Sequence, residues 1–121
     1  MQLFAIEIRT HQWQKMLLWY TSALRLVSRL RSEEDGYALL TGDGWRISLL
    51  QRSDDQPHDQ PHDHSAISLA IEVKDLEAAQ RHVLNYLAEP VGPIVKSDEG
   101  FLQWTIADPD GNRIKLFQFV H

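Results

Sequence analysis

Histidine and aspartate side chains are concentrated in one polar stretch, residues 53–65, which reads SDDQPHDQPHDHS. Its candidate metal ligands are three histidines and two aspartates: His58, His62, His64, Asp59 and Asp63. Imidazole nitrogen and carboxylate oxygen atoms commonly bind divalent metal ions. The two prolines of the repeated QPHD sequence, however, prevent a helix that would hold such ligands together. A weak metal site and an exposed linker are both compatible with this stretch, and its composition favours the linker.

Residues suited to nucleophilic catalysis are scarce. The chain has no cysteine, which excludes a thiol nucleophile, a disulfide framework and a thiolate zinc site. His11 and His82 have no serine or aspartate at a spacing typical of a catalytic triad. The sequence Gly-Asp-Gly at 42–44 predicts a hairpin turn, and no glycine-rich phosphate-binding loop is present.

A rigid turn, DPDGN at 108–112, precedes Lys115 near the end of the chain. Pro109 fixes its φ angle, Gly111 can adopt a positive φ, and the aspartate and asparagine side chains can bond to nearby backbone amides. We therefore expect this turn to set the register of the last strand rather than to take part in catalysis.

Composition restricts the class of partner. The 121 residues are enough for one domain or for two small halves that share a core. The net charge is −5 and no basic cluster is present, which argues against nucleic-acid binding. No apolar run approaches the roughly 20 residues of a membrane-spanning helix, and the N-terminal residues do not resemble a secretory signal. We expect a cytoplasmic protein that binds neither nucleic acid nor membranes.

The elements that must position these residues begin with a strand and a helix. Apolar and charged residues alternate over Leu3–Arg9, which predicts a half-buried strand. A helical apolar stripe follows, formed by Trp13, Met16, Leu17, Tyr20 and Leu24. Three more strands are predicted at Leu26–Arg31, Tyr37–Thr41 and Trp45–Gln51.

The same order recurs after residue 65. A strand is predicted at Ile67–Val73, and Asp75 is a suitable N-cap for a second helix that Pro90 would end. Its apolar stripe consists of Leu76, Ala79, Val83 and Leu87. Three strands follow at Val91–Val95, Phe101–Ala107 and Arg113–Val120. The chain is therefore a βαβββ unit written twice, with module 1 at 1–52, an exposed linker at 53–65 and module 2 at 66–121. The segments FAIEIRT (4–10) and LAIEVKD (69–75) look alike.

This arrangement resembles the vicinal oxygen chelate superfamily, which includes glyoxalase I, extradiol dioxygenases, and fosfomycin and bleomycin resistance proteins. The motifs concerned are Trp19-Tyr20 at the end of the first helix, LAIEVKDLEAA at 69–79 and DPDGNRIKLFQ at 108–118. The resemblance implies an α+β fold, in which two βαβββ modules form a curved sheet flanked by helices as a single domain. It also implies a homodimer with a ligand cup at the module or subunit interface.

Metal-using members of this superfamily take one His, Glu or Gln ligand from each of four strands. The resemblance places the corresponding positions on Ala5, Ser48, Ser68 and Lys115. None of these is a usual metal ligand, and the Lys115 ammonium would repel a divalent cation. A two-residue slip in the first strand would bring in only Glu7, and one carboxylate is not a metal site. We therefore expect no metal and no other cofactor, which argues against the usual glyoxalase I, dioxygenase and fosfomycin-transferase reactions.

Side-chain alternation along the strands places several polar and aromatic residues on the concave face of the sheet. The candidate ligand-binding residues are Glu7, Arg9, Arg46, Ser48, Ser68, Glu72, Lys115 and Phe117. Apolar walls with a few charges suit a small organic ligand. Alternatively, the charged residues pair with one another and only keep an empty groove soluble. Trp104 could present its ring on this face or pack in the core, and aromatic residues in strands favour the core.

Three functions are compatible with these features. The first is a small-molecule-binding protein that needs no metal, like the bleomycin resistance proteins. The second is a lyase, isomerase or dioxygenase-like enzyme with Glu7 or Glu72 as base and Lys115 or Arg9 as oxyanion stabiliser, or with a metal site that the sequence does not reveal. The third is a structural or regulatory dimer module with a vestigial cup.

Overall fold

The computed structural model describes residues 1–53, 67–87 and 91–120 of the chain. Their contacts divide the chain into two compact units, Met1–Asp59 and Gln60–His121. Neither described helix is long and apolar enough to cross a membrane. Residues 54–65 of the linker, with all three of its histidines, lie outside the described residues, as do Ala66 and Pro90.

The first unit contains one helix and a four-stranded mixed sheet. Its elements are β1 (Ile6–Thr10), α1 (Trp13–Ser22), β2 (Val27–Ser32), β3 (Tyr37–Thr41) and β4 (Arg46–Gln51). The strand order is β1-β4-β3-β2. Strand β1 is parallel to β4, and the other two pairings are antiparallel. Strand β1 can run parallel to β4 because the chain between them is long and includes the helix α1.

The second unit repeats this plan. Its elements are β5 (Leu69–Glu72), α2 (Leu76–Val83), β6 (Val95–Lys96), β7 (Phe101–Ala107) and β8 (Arg113–Phe119). The strand order is β5-β8-β7-β6, again with a parallel pairing of the first strand to the last. The predicted fold class, two βαβββ modules of the α+β type, is confirmed, and each module has its own four-stranded mixed sheet.

The helix of each module faces the apolar side of its sheet. In module 1, Ile47 and Leu49 of β4 are fully buried, and the Trp13 Nε1 of α1 donates to the Leu49 carbonyl oxygen at 3.1 Å. In module 2 the buried side chains of the two long strands are Trp104, Ile106, Ile114 and Leu116. The predicted helix stripes supply the opposing surface, since Met16, Leu17, Tyr20, Leu76 and Val83 are all buried. In each module, the apolar side chains that alternate along the strands therefore pack against the apolar stripe of the helix.

Strand pairing establishes which positions of the two modules correspond. Ile6 lies opposite Ile47 in module 1, and Leu69 lies opposite Ile114 in module 2. Ala5 and Ser68 each precede their helix start, Trp13 or Leu76, by the same eight residues. Ala5 therefore corresponds to Ser68, Ser48 to Lys115, and Gln51 to Gln118. The visible likeness of FAIEIRT (4–10) to LAIEVKD (69–75) does not follow this correspondence, because it is shifted from it by two residues.

One corresponding pair, Gln51 and Gln118, caps the two helices from the last strand of each module. The Gln51 Oε1 accepts from the Trp13 backbone amide at 3.2 Å, and the Gln118 Oε1 accepts from the Leu76 amide at 2.8 Å. The predicted N-cap Asp75 is confirmed, since its Oδ1 accepts from the Ala78 amide at 3.1 Å. These bonds satisfy amides that the first helical turn leaves without a partner.

Replacing Gln118 with leucine is expected to lower the free energy of unfolding by about 1–2 kcal/mol, because the buried Leu76 amide would lose its acceptor. Gln118→Glu keeps an oxygen acceptor at this position and is expected to cost less than half as much. Urea denaturation followed by far-UV circular dichroism measures both. Equal losses in the two variants would contradict the capping role.

Several predicted element ends are wrong, each for a local reason. Helix α1 ends at Ser22, before Leu24, because Arg25 adopts a left-handed φ of 56° and the Leu26 amide bonds back to the Tyr20 carbonyl. A residue in the left-handed conformation just beyond the last turn commonly ends a helix. Strand β1 begins at Ile6 rather than Leu3, and the Phe4 carbonyl oxygen is bound by Arg46 Nη1.

Two further ends differ in module 2. Helix α2 ends at Val83 and continues only as a 3-10 turn, Leu84–Tyr86, so Pro90 does not end it. The Asn85 Nδ2 donates to the Arg81 carbonyl, the acceptor that a continuing α-helix would need. The predicted strand Val91–Val95 is reduced to Val95–Lys96. Pro93 lacks an amide proton for strand pairing.

Candidate functional site

The sheet face opposite the helix, called the far face here, carries the predicted ligand-binding residues of each module. In module 1, Glu7 lies opposite Ser48, and Arg9 lies opposite Leu50. The Arg9 Nη2 and Glu7 Oε1 form an ion pair at 3.4 Å, with each side chain 54% exposed. An ion pair this exposed and this long contributes little to stability. It supports the interpretation that some of these charges pair with one another.

Two other module 1 candidates are held differently. Arg46 lies over the ring of Phe4, with Cζ 5.1 Å from the ring centroid, and Nη1 donates to the Phe4 carbonyl at 3.2 Å. Ser48 is only 4% exposed, although it lies on the far face between Glu7 and Leu39. The arrangement thus places a small hydroxyl, rather than a carboxylate or imidazole, at the centre of this face.

The far face of module 2 is dominated by phenylalanine. Phe101 of β7 and Phe117 and Phe119 of β8 form three edge-to-face ring pairs, with centroid separations of 6.1, 6.2 and 5.4 Å. Phe119 is 48% exposed, and the other two rings are half-buried. Edge-to-face packing of this kind is favourable for aromatic rings. We call these three residues the phenylalanine cluster.

The Lys115 side chain reaches the phenylalanine cluster. Its Cα partner is Thr105, which is separated from Phe101 by four residues, or about 13 Å along the strand. The Lys115 Nζ nevertheless lies 5.7 Å from the Phe101 ring centroid. The side chain therefore extends along the far face, past the Gln103–Phe117 pair, and brings its ammonium to the aromatic rings. This distance is within the range of a cation–π contact.

The remaining candidates of module 2 are more exposed. Glu72 lies opposite Phe117 on the same face, and its side chain is exposed. Ser68 precedes β5 and is also exposed. The structure thus brings Lys115, Phe117 and Glu72 onto one face of module 2, and Glu7, Arg9, Ser48 and Arg46 onto one face of module 1.

The residues at the superfamily's metal positions do not fit a divalent ion. The four positions that the resemblance assigns form two corresponding pairs, Ser48 with Lys115 by strand register and Ala5 with Ser68 by distance from the helix start. An alanine, two serines and a lysine offer no carboxylate or imidazole donor. Within residues 1–53, 67–87 and 91–120, no three His, Asp or Glu side chains lie close enough together to hold a metal ion.

The sequence analysis missed two aromatic residues that contact predicted site residues: Phe101, which contacts Lys115, and Phe4, which contacts Arg46. The signal for Phe101 was available, because Trp104 and Ile106 are buried and strand alternation then places Phe101, Gln103 and Thr105 on the far face. Phe4 gave no such signal, since it lies before β1 and is exposed.

The turn at 108–112 is a structural corner, as expected. Asp108 is 5% exposed, and its Oδ1 accepts from the backbone amides of Asp110 at 2.9 Å and Asn112 at 3.0 Å. Its Oδ2 accepts from the Asn112 Nδ2 at 2.8 Å, and Gly111 has a φ of 89°. Asp108 uses both oxygen atoms within the turn, which connects β7 to β8.

A family model for the Glyoxalase/Bleomycin resistance protein/Dioxygenase superfamily matches residues 2–116. The chain belongs to this superfamily. The resemblance inferred from its motifs is therefore confirmed. Superfamily membership does not specify a reaction or a metal requirement, because the match describes the fold and its sequence pattern as a whole. None of the curated proteins matches the sequence.

Solved structures of the same fold cover nearly the whole chain. A glyoxalase/bleomycin resistance protein/dioxygenase from Nocardioides is 16% identical, with a TM-score of 0.76 over 100% of this chain and 85% of that one. Lactoylglutathione lyase from Agrobacterium tumefaciens is 14% identical, with a TM-score of 0.69 over 97% and 92%. An integron cassette protein from the Halifax Harbour sewage outfall metagenome is 15% identical, with a TM-score of 0.73 over 98% of each chain. At these identities the likeness establishes the fold alone.

Proposed function

We propose that this superfamily member binds a small organic molecule without using a metal ion at the superfamily's metal positions. The observation that carries the proposal is the position of Lys115. By the resemblance it stands at the last-strand ligand position of the metal-using members, and its ammonium lies 5.7 Å from the Phe101 ring centroid. A fixed positive charge there would repel a divalent cation. The same charge, beside apolar rings, is well suited to hold a polar group of an organic ligand.

The composition of the far face of module 2 supports the same function. Three aromatic rings provide apolar contact area, and Gln103, Thr105 and Lys115 provide hydrogen-bond donors in the same two strands. Ligand sites generally combine a mostly apolar surface with a few polar groups that orient the ligand. The rigid strands β7 and β8, rather than loops, position all of these groups.

Thermal unfolding in the presence of a broad library of small aromatic, cationic and anionic compounds tests the proposal. The protein is first treated with a chelator, so that any stabilisation is independent of bound metal. A ligand present at a hundred times its Kd is expected to raise the free energy of unfolding by about 2.7 kcal/mol. The measurement is the shift in the midpoint of thermal unfolding.

Each stabilising compound is then retested on Lys115→Gln and on Lys74→Gln. Lys74 is an exposed lysine of the same module and gives the same change in charge. We expect the shift to be smaller in Lys115→Gln and unchanged in Lys74→Gln. If no compound stabilises the chelator-treated protein, or if stabilisation requires added divalent metal, the proposal is wrong.

A further inference from the structure

We infer that the ligand of module 2 combines an aromatic ring with an anionic oxygen group, as an aromatic carboxylate does. This inference rests on the proposed function and specifies the chemical class of the molecule bound at the same face. In the metal-using relatives a cation at this position would come from the metal. Here the Lys115 ammonium supplies a positive charge from the protein itself.

The aromatic half of the ligand is indicated by the phenylalanine cluster. Phe101, Phe117 and Phe119 contact one another edge to face, and each ring is only half-buried or exposed. Phe119 in particular leaves 48% of its surface accessible. A planar ring can extend this edge-to-face arrangement at little entropic cost, because it is rigid.

The anionic half is indicated by the surroundings of the Lys115 ammonium. Within residues 1–53, 67–87 and 91–120, Lys115 forms no salt bridge, and its ammonium lies over the Phe101 ring. The side chain is half-buried, so its charge is less screened by water than that of a fully exposed lysine. Beside apolar rings, a carboxylate is the partner that best stabilises such an ammonium.

Other charged groups on the same face do not reverse this preference. Glu72 lies opposite Phe117, but its side chain is exposed and therefore largely screened. Gln103, which lies between Thr105 and Phe101 along β7, can donate a hydrogen bond to an oxygen anion. The half-buried Lys115 ammonium is therefore less screened than the exposed Glu72 carboxylate, and this face favours an anionic group.

Three probes of similar size distinguish the two halves of the inference: benzoate, benzamidine and cyclohexanecarboxylate. Their dissociation constants are measured by NMR titration of the full chain, following the ring protons of the phenylalanine cluster. We expect benzoate to bind about tenfold more tightly than either benzamidine, which reverses the charge, or cyclohexanecarboxylate, which removes the aromatic ring.

Variants then assign the preference to residues. Lys115→Gln is expected to weaken benzoate binding about tenfold and to abolish the preference over benzamidine, whereas Lys115→Arg and the control Lys74→Gln should retain it. Tighter binding of benzamidine, or equal binding of benzoate by Lys115→Gln and the wild-type protein, would overturn the inference while leaving the proposed function intact. Absence of benzoate binding in a protein that other library compounds stabilise would also overturn it. Failure of the whole library would instead remove the proposed function.

Discussion

Replacing Trp104 with alanine is expected to lower the free energy of unfolding by about 3–5 kcal/mol, the range typical of large-to-small aromatic substitutions in a core. Trp104 is 1% exposed and lies opposite Leu116 in the centre of the module 2 sheet. Its Nε1 donates to the Gly92 carbonyl oxygen at 2.9 Å, which anchors the irregular segment before β6. The alanine variant loses both the ring's contacts and this bond. Urea denaturation followed by far-UV circular dichroism measures the change.

Two variants separate these contributions. Trp104→Phe keeps a buried ring but lacks the indole donor, and we expect it to cost about 1–2 kcal/mol. Thr105→Ala changes the next residue of β7, whose side chain is exposed, and should alter stability by less than about 0.5 kcal/mol. If Trp104→Ala is as stable as Thr105→Ala, the ring does not belong to the core. The interpretation in which Trp104 presents its ring to a ligand would then return.

Trp104 also shows what strand periodicity can and cannot determine. Alternation predicts that residues 102, 104 and 106 share one face and residues 101, 103 and 105 share the other. Both sets contain aromatic or apolar residues, so the pattern alone leaves open which face is buried. The general preference of aromatic residues in strands for the core predicts that Trp104 is buried, and the structure confirms this. The order of helices and strands was predictable because the apolar periodicity of a whole element is a strong signal. The ends of the elements depend on single bonds, such as that from the Asn85 side chain to the Arg81 carbonyl.

In the candidate site, likewise, the strand face of each residue could be predicted but the side-chain contacts could not. The far-face positions of Glu7, Ser48, Glu72 and Lys115 followed from alternation alone, and strand register agrees with them. Contacts such as that of Lys115 with Phe101 could not be predicted, because they depend on how far a flexible side chain reaches across a strand pair. The catalytic roles considered for Glu7, Glu72 and Lys115, the homodimer and the cytoplasmic location stay predictions.

A second large effect is expected from Asp108→Ala, which should lower the free energy of unfolding by about 3 kcal/mol. Its carboxylate accepts three hydrogen bonds, from the backbone amides of Asp110 and Asn112 and from the Asn112 side chain, and is almost fully buried. Bonds to a charged acceptor are stronger than bonds between neutral groups, and removing the acceptor leaves partly buried donors unsatisfied. Urea denaturation of the variant measures the loss.

The closest control is Asp98→Ala in the turn between β6 and β7. This aspartate is exposed, and its removal changes the net charge by the same amount, so we expect a change below about 0.5 kcal/mol. Asp108→Asn keeps one oxygen for the two backbone amides but directs an amide group towards Asn112, and should cost about 1–2 kcal/mol. A graded loss in the order alanine, asparagine, wild type would show that the acceptor atoms hold the turn. Because the β7–β8 pairing sets where Lys115 and the phenylalanine cluster lie, equal stability of Asp98→Ala and Asp108→Ala would mean that strand pairing alone, and not this turn, fixes the register of the site.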